Sequence, residues 1–303
     1  MTYVLNALLP ICLIIFIGYW FKHISFPSTD FWPKMDKFTY YALMPSLLIY
    51  ELSIAKIDLS HTINLVITSL LGIFIVLLFL LLINLFIKFD KRAFTSIVQG
   101  GIRFNTYVFL ALVNAVYGDK GLVLAAIVMA FAIPFLNVLC ISIFAIYVRE
   151  GHFSFKSFMK TIIKNPLIVA CLIGGFLNFC GNPIPGFILK SFSIISHAAL
   201  PMGLLSVGVG LELKYLKQAK KELLISTGAK LIIFPFVAYQ LGVIFGLAGT
   251  ALSIAIIFAS MPTATSSHIL ARELGGDVSL MASITTLETL MCIGTLVLIV
   301  PLL

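Results

Sequence analysis

The sequence predicts an all-α polytopic membrane protein: ten transmembrane helices in two inverted five-helix repeats. Three observations carry that prediction: the hydropathy, the placement of the charges and a faint internal repeat. Of 303 residues, 61% are hydrophobic and 11% charged, with a mean hydropathy of +1.12. A soluble domain averages roughly 45–50% apolar and about 25% charged residues, because its surface has to be polar. The excess fits ten spans of about 20 apolar residues each, or roughly 200 positions. A soluble enzyme, a disordered chain and a disulfide-stapled secreted domain are excluded on the same grounds.

Apolar runs bounded by charges or by Gly/Pro/Asn clusters place the spans near 3–21, 34–52, 62–87, 93–117, 121–148, 165–180, 187–211, 222–246, 249–272 and 278–302. The first run lacks a basic leader and a small-residue cleavage site, so it reads as a span and not as a signal peptide. Spans four and five turn tightly at Gly118-Asp119-Lys120. Residues 149–164, amphipathic and basic, form a cytoplasmic linker between the units 1–148 and 165–303. The five cysteines all fall in apolar stretches without a C-x-x-C pair, as expected of buried free thiols.

The net charge of +8 does not point to nucleic acid, because the basic residues sit between apolar runs and form no patch of their own. With the N-terminus outside, the inward connections hold fifteen Lys and Arg, among them Lys22, Lys34, Lys88, Arg149, Lys214 and Arg272. The outward ones hold only Lys56, Lys120 and Lys190. The positive-inside rule then puts both termini outside a cell membrane that the chain crosses many times.

The halves echo each other. Ala42-Leu43-Met44-Pro45 in span two matches Ala198-Ala199-Leu200-Pro201 in span seven at an offset of 156, and Gly118-Asp119 matches Gly276-Asp277 at 158. Five spans is an odd number, so two such units insert with opposite orientation, the plan of many secondary transporters. In that plan the substrate site lies near the midplane, where corresponding helices are interrupted.

Span nine carries the plain interruption. Pro262 cannot donate to the helix ladder and clashes with the preceding turn, and Thr263, Thr265, Ser266 and Ser267 follow with hydroxyls for freed carbonyls or a ligand. The equivalent stretch of span four, Gln99-Gly100-Gly101-Ile102-Arg103-Phe104-Asn105-Thr106, is weakened by two glycines, an asparagine and a threonine. Half-helices starting after these points aim their positive ends at the centre, where an anion fits. Arg103, about 15 Å along span four at about 1.5 Å per residue, is expected to line a cavity and to offer a carboxylate two hydrogen bonds. Glu288, the one acid deep in a span, is expected either to pair with Arg103 or to carry a proton. Lys230 is expected to snorkel to the inner interface, and His197 and His268 to pack or hydrogen-bond. No set of His, Asp and Cys has metal-site spacing and no P-loop or nucleophile elbow appears, so neither metal nor cofactor is expected, and no enzyme.

These residues resemble the auxin efflux carrier family, which includes bacterial malonate-transporter-like permeases. Arg103-Phe104-Asn105-Thr106, Pro262-Thr263-Ala264-Thr265-Ser266-Ser267 and Leu270-Ala271-Arg272-Glu273-Leu274-Gly275-Gly276-Asp277 carry the resemblance, which covers nearly the whole chain. It implies a fold like that of bile acid–sodium symporters, with helices four and nine broken and crossing at the midplane. Spans one, two, six and seven would be a scaffold, and spans three to five and eight to ten a moving unit. Elevator-type alternating access and a homodimer follow from the same likeness. It further implies that Asn105 and Pro262 with its following residues lie at the crossover. The chain departs from the family in lacking a proline after Asn105, where Ala111-Leu112 stands, and in having Glu288 where a small or hydroxyl residue is expected.

The expected activity is secondary transport of a small organic anion, a malonate-like dicarboxylate or an aromatic monocarboxylate. Arg103, Asn105, Thr106 and the 262–267 segment would bind it, and Glu288 would couple transport to protons. A sodium-coupled symporter of the same fold is the alternative. A non-transporting receptor or assembly subunit is the other, disfavoured by the lack of a soluble domain.

Overall fold

A computed structural model describes residues 2–55, 59–148, 165–216 and 220–300. The basic linker 149–164 lies outside the described residues. Every described element is helical, and six stretches are long and apolar enough to cross a membrane by themselves. They run Asn6–His23, Thr62–Ile87, Lys91–Tyr147, Gly186–Val209, Lys221–Ile244 and Val278–Ile299. This is a multi-pass membrane protein. Of the ten expected spans, two share the stretch Lys91–Tyr147, two hold the apolar but short helices Pro166–Phe179 and Gly249–Ser260, and the one near 34–52 is divided among Phe31–Phe38, Thr39–Leu43 and Met44–Ile54.

The elements are α1 (Thr2–His23), α2 (Phe31–Phe38), α3 (Met44–Ile54), α4 (Leu59–Ile87), α5 (Lys91–Ile102) and α6 (Thr106–Tyr147). After the linker come α7 (Pro166–Phe179), α8 (Gly186–Ser196), α9 (Ala199–Val209), α10 (Lys220–Gly228), α11 (Phe234–Ile244), α12 (Gly249–Ser260), α13 (Ser266–Leu274) and α14 (Val278–Ile299). Within α6, Gly118 has φ 59° and ψ −152°, which only glycine adopts without strain, and it kinks the helix at the place where a tight turn is expected.

Two π turns join what would otherwise be broken rods. Thr39–Leu43 connects α2 to α3 just before Pro45, and Ala229–Ile233 connects α10 to α11 just before Pro235. A proline inside a helix has no N–H to give, and its ring crowds the carbonyl four residues back. Widening one turn relieves both: Met44 N–H donates to the Thr39 carbonyl and Phe234 N–H to the Ala229 carbonyl, five residues back.

The helices pack in partnerships. α1 lies along α9, and α3 along α7. A Cβ on Gly18 would overlap the Leu205 carbonyl and one on Gly208 the Ile15 carbonyl, so α1 and α9 touch backbone to backbone. On the other pair, a Cβ on Gly174 would stand 3.1 Å from the Ile49 and Leu48 carbonyl oxygens. α5 packs on α14, α6 on α12, and α4 on α11.

The connections between helix ends are polar. Asn178 of α7 donates to the Ser53 and Ala55 carbonyls at 3.2 and 2.7 Å, and Asn64 of α4 to the Phe245 carbonyl at 2.9 Å. At the opposite ends, Lys22 donates to the Leu211 carbonyl (2.6 Å) and to Glu212 (2.8 Å), with Lys214 at 3.4 Å from the same carboxylate. Partial burial alone would raise the Glu212 pKa, but the Lys22 and Lys214 charges outweigh it and hold the carboxyl below its ordinary range. The cysteines are unpaired; Cys140, Cys171 and Cys292 are buried as expected, whereas Cys180, at the end of α7, is exposed.

Candidate functional site

The two weak points named by the sequence come together in space. α5 ends at Ile102, residues 103–105 are extended, and α6 begins at Thr106; α12 ends at Ser260, residues 261–264 are non-helical, and α13 begins at Ser266. The breaks are tied by Asn105 N–H donating to the Pro262 carbonyl at 2.7 Å and by the Thr263 hydroxyl donating to the Gln99 carbonyl at 3.1 Å. α5 and α12, of 12 residues each, are about 18 Å long at about 1.5 Å per residue. They fall short of a hydrocarbon core roughly 30 Å thick, so each ends inside the protein and needs partners there.

Each broken end is treated differently. Asn105 Oδ1 caps α6 by accepting from Tyr107 N–H (3.1 Å) and Val108 N–H (3.2 Å). Its carboxamide Nδ2 is left buried and without a partner. At the start of α13, Thr265 makes no side-chain cap. The half-exposed Arg103 reaches that end, its Nη2 donating to the Ser266 hydroxyl at 3.2 Å, while its Nη1 is buried and unpartnered. Thr106 stands in the first turn of α6, partly buried. The two unused donors lie on the same three-residue break, and the Arg103 guanidinium reaches the start of α13, where Ser267 and His268 N–H donate to the Ala264 and Thr265 carbonyls; donors of this kind suit a carboxylate.

The other predicted residues face inward to protein. Thr263 is fully buried, and its hydroxyl, shared with Ser267 at 3.4 Å, is consumed on Gln99. Glu288 is fully buried and does not pair with Arg103, which corrects one expectation. Its Oε2 accepts from Thr263 N–H at 2.9 Å and its Oε1 from the Ser226 hydroxyl at 3.2 Å. The glycine pair in α5 now has a second explanation besides helix weakening. A Cβ on Gly100 would overlap Ser226 Oγ, stand 2.6 Å from Ile284 and come within 3.2 Å of Glu288 Oε1. Lys230 does not snorkel: it is fully buried, its ammonium 4.4 Å from the Phe234 ring centroid. The π turn shifts the register of the helix at that residue, which a straight 3.6-residue period cannot anticipate. His268 is in contact with Arg272 (3.0 Å) and His197 with the Ser193 carbonyl (2.5 Å), both hydrogen-bonding as expected.

Sequence reasoning missed several neighbours. Gln99 carries a buried carboxamide with neither atom partnered. On the facing helices, Asp36 accepts from Ser206, and Tyr40 hydrogen-bonds Asn165 within the field of the Arg103 charge. The Tyr107 ring, in the first turn of α6, rests where a Cβ of Gly203 would be. These residues sit in spans that read as uniformly apolar or near basic clusters, where only the fold shows which face meets Arg103.

A family model described as membrane transport protein matches residues 3–300. The chain belongs to the auxin efflux carrier family. As a member of this family it is 25% identical to the "Uncharacterized transporter" of Methanocaldococcus jannaschii, over 96% of both chains. It is 23% identical to the "Putative malonate transporter" of Rhizobium meliloti, over 97% of this chain and 94% of the other. Against the "Probable auxin efflux carrier component 1c" of Oryza sativa subsp. japonica it is 30% identical over 38% of this chain and 20% of the other. Auxin efflux carriers are membrane transport proteins, so the broken helices belong to a transporter.

Proposed function

We propose that this protein is a secondary carrier of small organic anions, taking a malonate-like dicarboxylate or an aromatic monocarboxylate at the meeting point of the two broken helices. One observation carries the reading: the unpartnered Arg103 Nη1 and Asn105 Nδ2 on the break whose guanidinium reaches Ser266 at the start of α13. A buried donor without a partner costs about 1–3 kcal/mol, more when it is charged, so such a cluster is stable where an acceptor regularly visits. A carboxylate has the charge and the two-oxygen geometry for it. Arg103 and Ser266 would hold the carboxylate, Asn105 and Thr106 would line the α6 side, and Pro262, Thr263, Thr265 and Ser267 would shape the wall. The relatives' names, with malonate on one and auxin on another, point to the same class of acid.

The architecture in this proposal is ten spans in two inverted five-span units, 1–148 and 165–303, with both termini outside a cell membrane. The packing supports it. Exchanging the halves turns the pair of spans one and seven (α1, α9) into spans six and two (α7, α3), and both members of this pair are in contact. Spans one, two, six and seven would stay fixed while the other six shuttle as an elevator, in a homodimer. Glu288 would be the coupling group, for protons and not sodium.

Exchange of labelled malonate and of an indole carboxylate in proteoliposomes, with and without a pH gradient, tests the proposal. Exchange of either acid is expected. Folded protein that exchanges no carboxylate would refute it.

A further inference from the structure

The crossover has a back side, away from Arg103, that the anion reading does not use. Three elements meet there. Glu288 of α14 enters between α5 and α10, holding Thr263 N–H with one oxygen and the Ser226 hydroxyl with the other. Lys230 follows Ser226 by four residues, one turn on, in the π turn after α10, and Glu288 and Lys230 act on each other electrostatically. The Lys230 ammonium is fully buried and has no hydrogen-bond partner, and the Thr227 hydroxyl, three residues before it on the same rod, is buried and unpartnered as well. The ammonium rests on the face of Phe234, an arrangement that compensates a cation without fixing it by hydrogen bonds.

A carboxylate this deep needs a positive charge close by, since an isolated buried ion costs several kcal/mol. In folds of this plan that charge can be a free cation held by oxygens where helices are broken. Here the chain brings its own. We propose that Lys230 is a tethered cation that takes the place of a free monovalent cation behind the crossover, so that transport is independent of sodium. Removing the ammonium would expose a sodium site made by the Glu288 carboxylate and the Ser226 and Thr227 hydroxyls. The proposal deepens the carrier reading by naming what the coupling group is paired with.

The test is the melting temperature of the purified protein in sodium chloride against choline chloride at equal ionic strength. The wild type is expected to melt at the same temperature in both salts. Lys230→Ala is expected to melt lower in choline and to gain a few degrees in sodium, because a ligand bound by the folded state alone stabilises it. Lys230→Ala/Glu288→Gln is expected to lose that gain. A sodium-specific rise in the wild type overturns the proposal, as does folded Lys230→Ala with equal melting temperatures in the two salts. Should Lys230→Ala not fold, malonate exchange by the wild type decides: equal rates in sodium and choline support the proposal, and stimulation by sodium refutes it. Because the melting comparison uses no substrate, it can fail while anion exchange succeeds, and the reverse, so the two readings fall separately.

Discussion

Asn105 does two jobs with two atoms, and a pair of substitutions separates them. Its Oδ1 accepts from the second and third amides of α6, at 3.1 and 3.2 Å, and its Nδ2 is the free donor assigned to the substrate. Asn105→Ala removes both. Loss of the cap costs about 1 kcal/mol, and an amide left buried without a partner adds about 1–3 kcal/mol. At about 2–4 °C per kcal/mol, the variant should melt measurably lower. Asn105→Asp keeps the acceptor, and a negative charge at a helix N-terminus is itself favourable by about 0.3–1 kcal/mol, so its melting temperature should stay nearer the wild type. Its affinity should not. A lost hydrogen bond to a charged ligand is worth about 1.5–3 kcal/mol, or roughly 10- to 150-fold in Kd, before the repulsion between like charges is added. The assay is thermal stabilisation by malonate, titrated for the wild type and both variants. If Asn105→Asp binds malonate as tightly as the wild type, Nδ2 does not touch the substrate and the crossover loses its α6 wall.

Further outcomes are expected. Arg103→Gln should abolish stabilisation by malonate while the protein stays folded, since Arg103 gives up only its contacts with the Ser266 hydroxyl and the Cys140 thiol. Gly100→Ala should destabilise by about 1–3 kcal/mol through overpacking, and Ser226→Ala in the same protein should return part of it, because Ser226 Oγ is the nearest atom the new methyl would meet. Glu288→Gln should flatten the pH dependence of exchange in proteoliposomes; an unchanged pH profile would remove it as the coupling group. Glu212 gives a stability test outside the spans. Its folded pKa lies below the ordinary 4.5, so its contribution is complete above that value and is lost as pH falls through the folded pKa. Glu212→Gln should therefore melt lower than the wild type at neutral pH, and the gap should close on acidification.

Much of this was legible in the chain. Hydropathy marked the helices because lipid tolerates no unsatisfied backbone, and Pro262 and the Gly100-Gly101 stretch marked the breaks because both weaken a helix locally. Asn105 and Arg103 were visible as polar residues that a span does not carry idly. What stayed hidden depends on rotation about a helix axis. Lys230 looked like a residue with a path to the headgroups until the π turn before Pro235 turned it inward. Glu288 stood out as the acid deep in a span, with pairing to Arg103 as one of two expectations: Arg103 and Lys230 are both cations in broken or widened helices, and only the packing of α10 on α14 and α5 shows which one it faces. Gln99, Asp36 and Tyr40 have no local pattern at all, because what sets them apart is the helix that lies opposite.

The contact between α1 and α9 has a mechanical meaning. Gly18 and Gly208 let carbonyl groups of one helix press against the backbone of the other, with no side chain in between. Side chains at an interface can swap rotamers and let two helices glide past each other in small steps. Bare backbones have nothing to swap: a shift along the axis by one residue brings a Cβ against a carbonyl oxygen. Friction along this seam is therefore high for every displacement. Whatever parts of the protein travel through the bilayer, α1 and α9 travel together or stand still together.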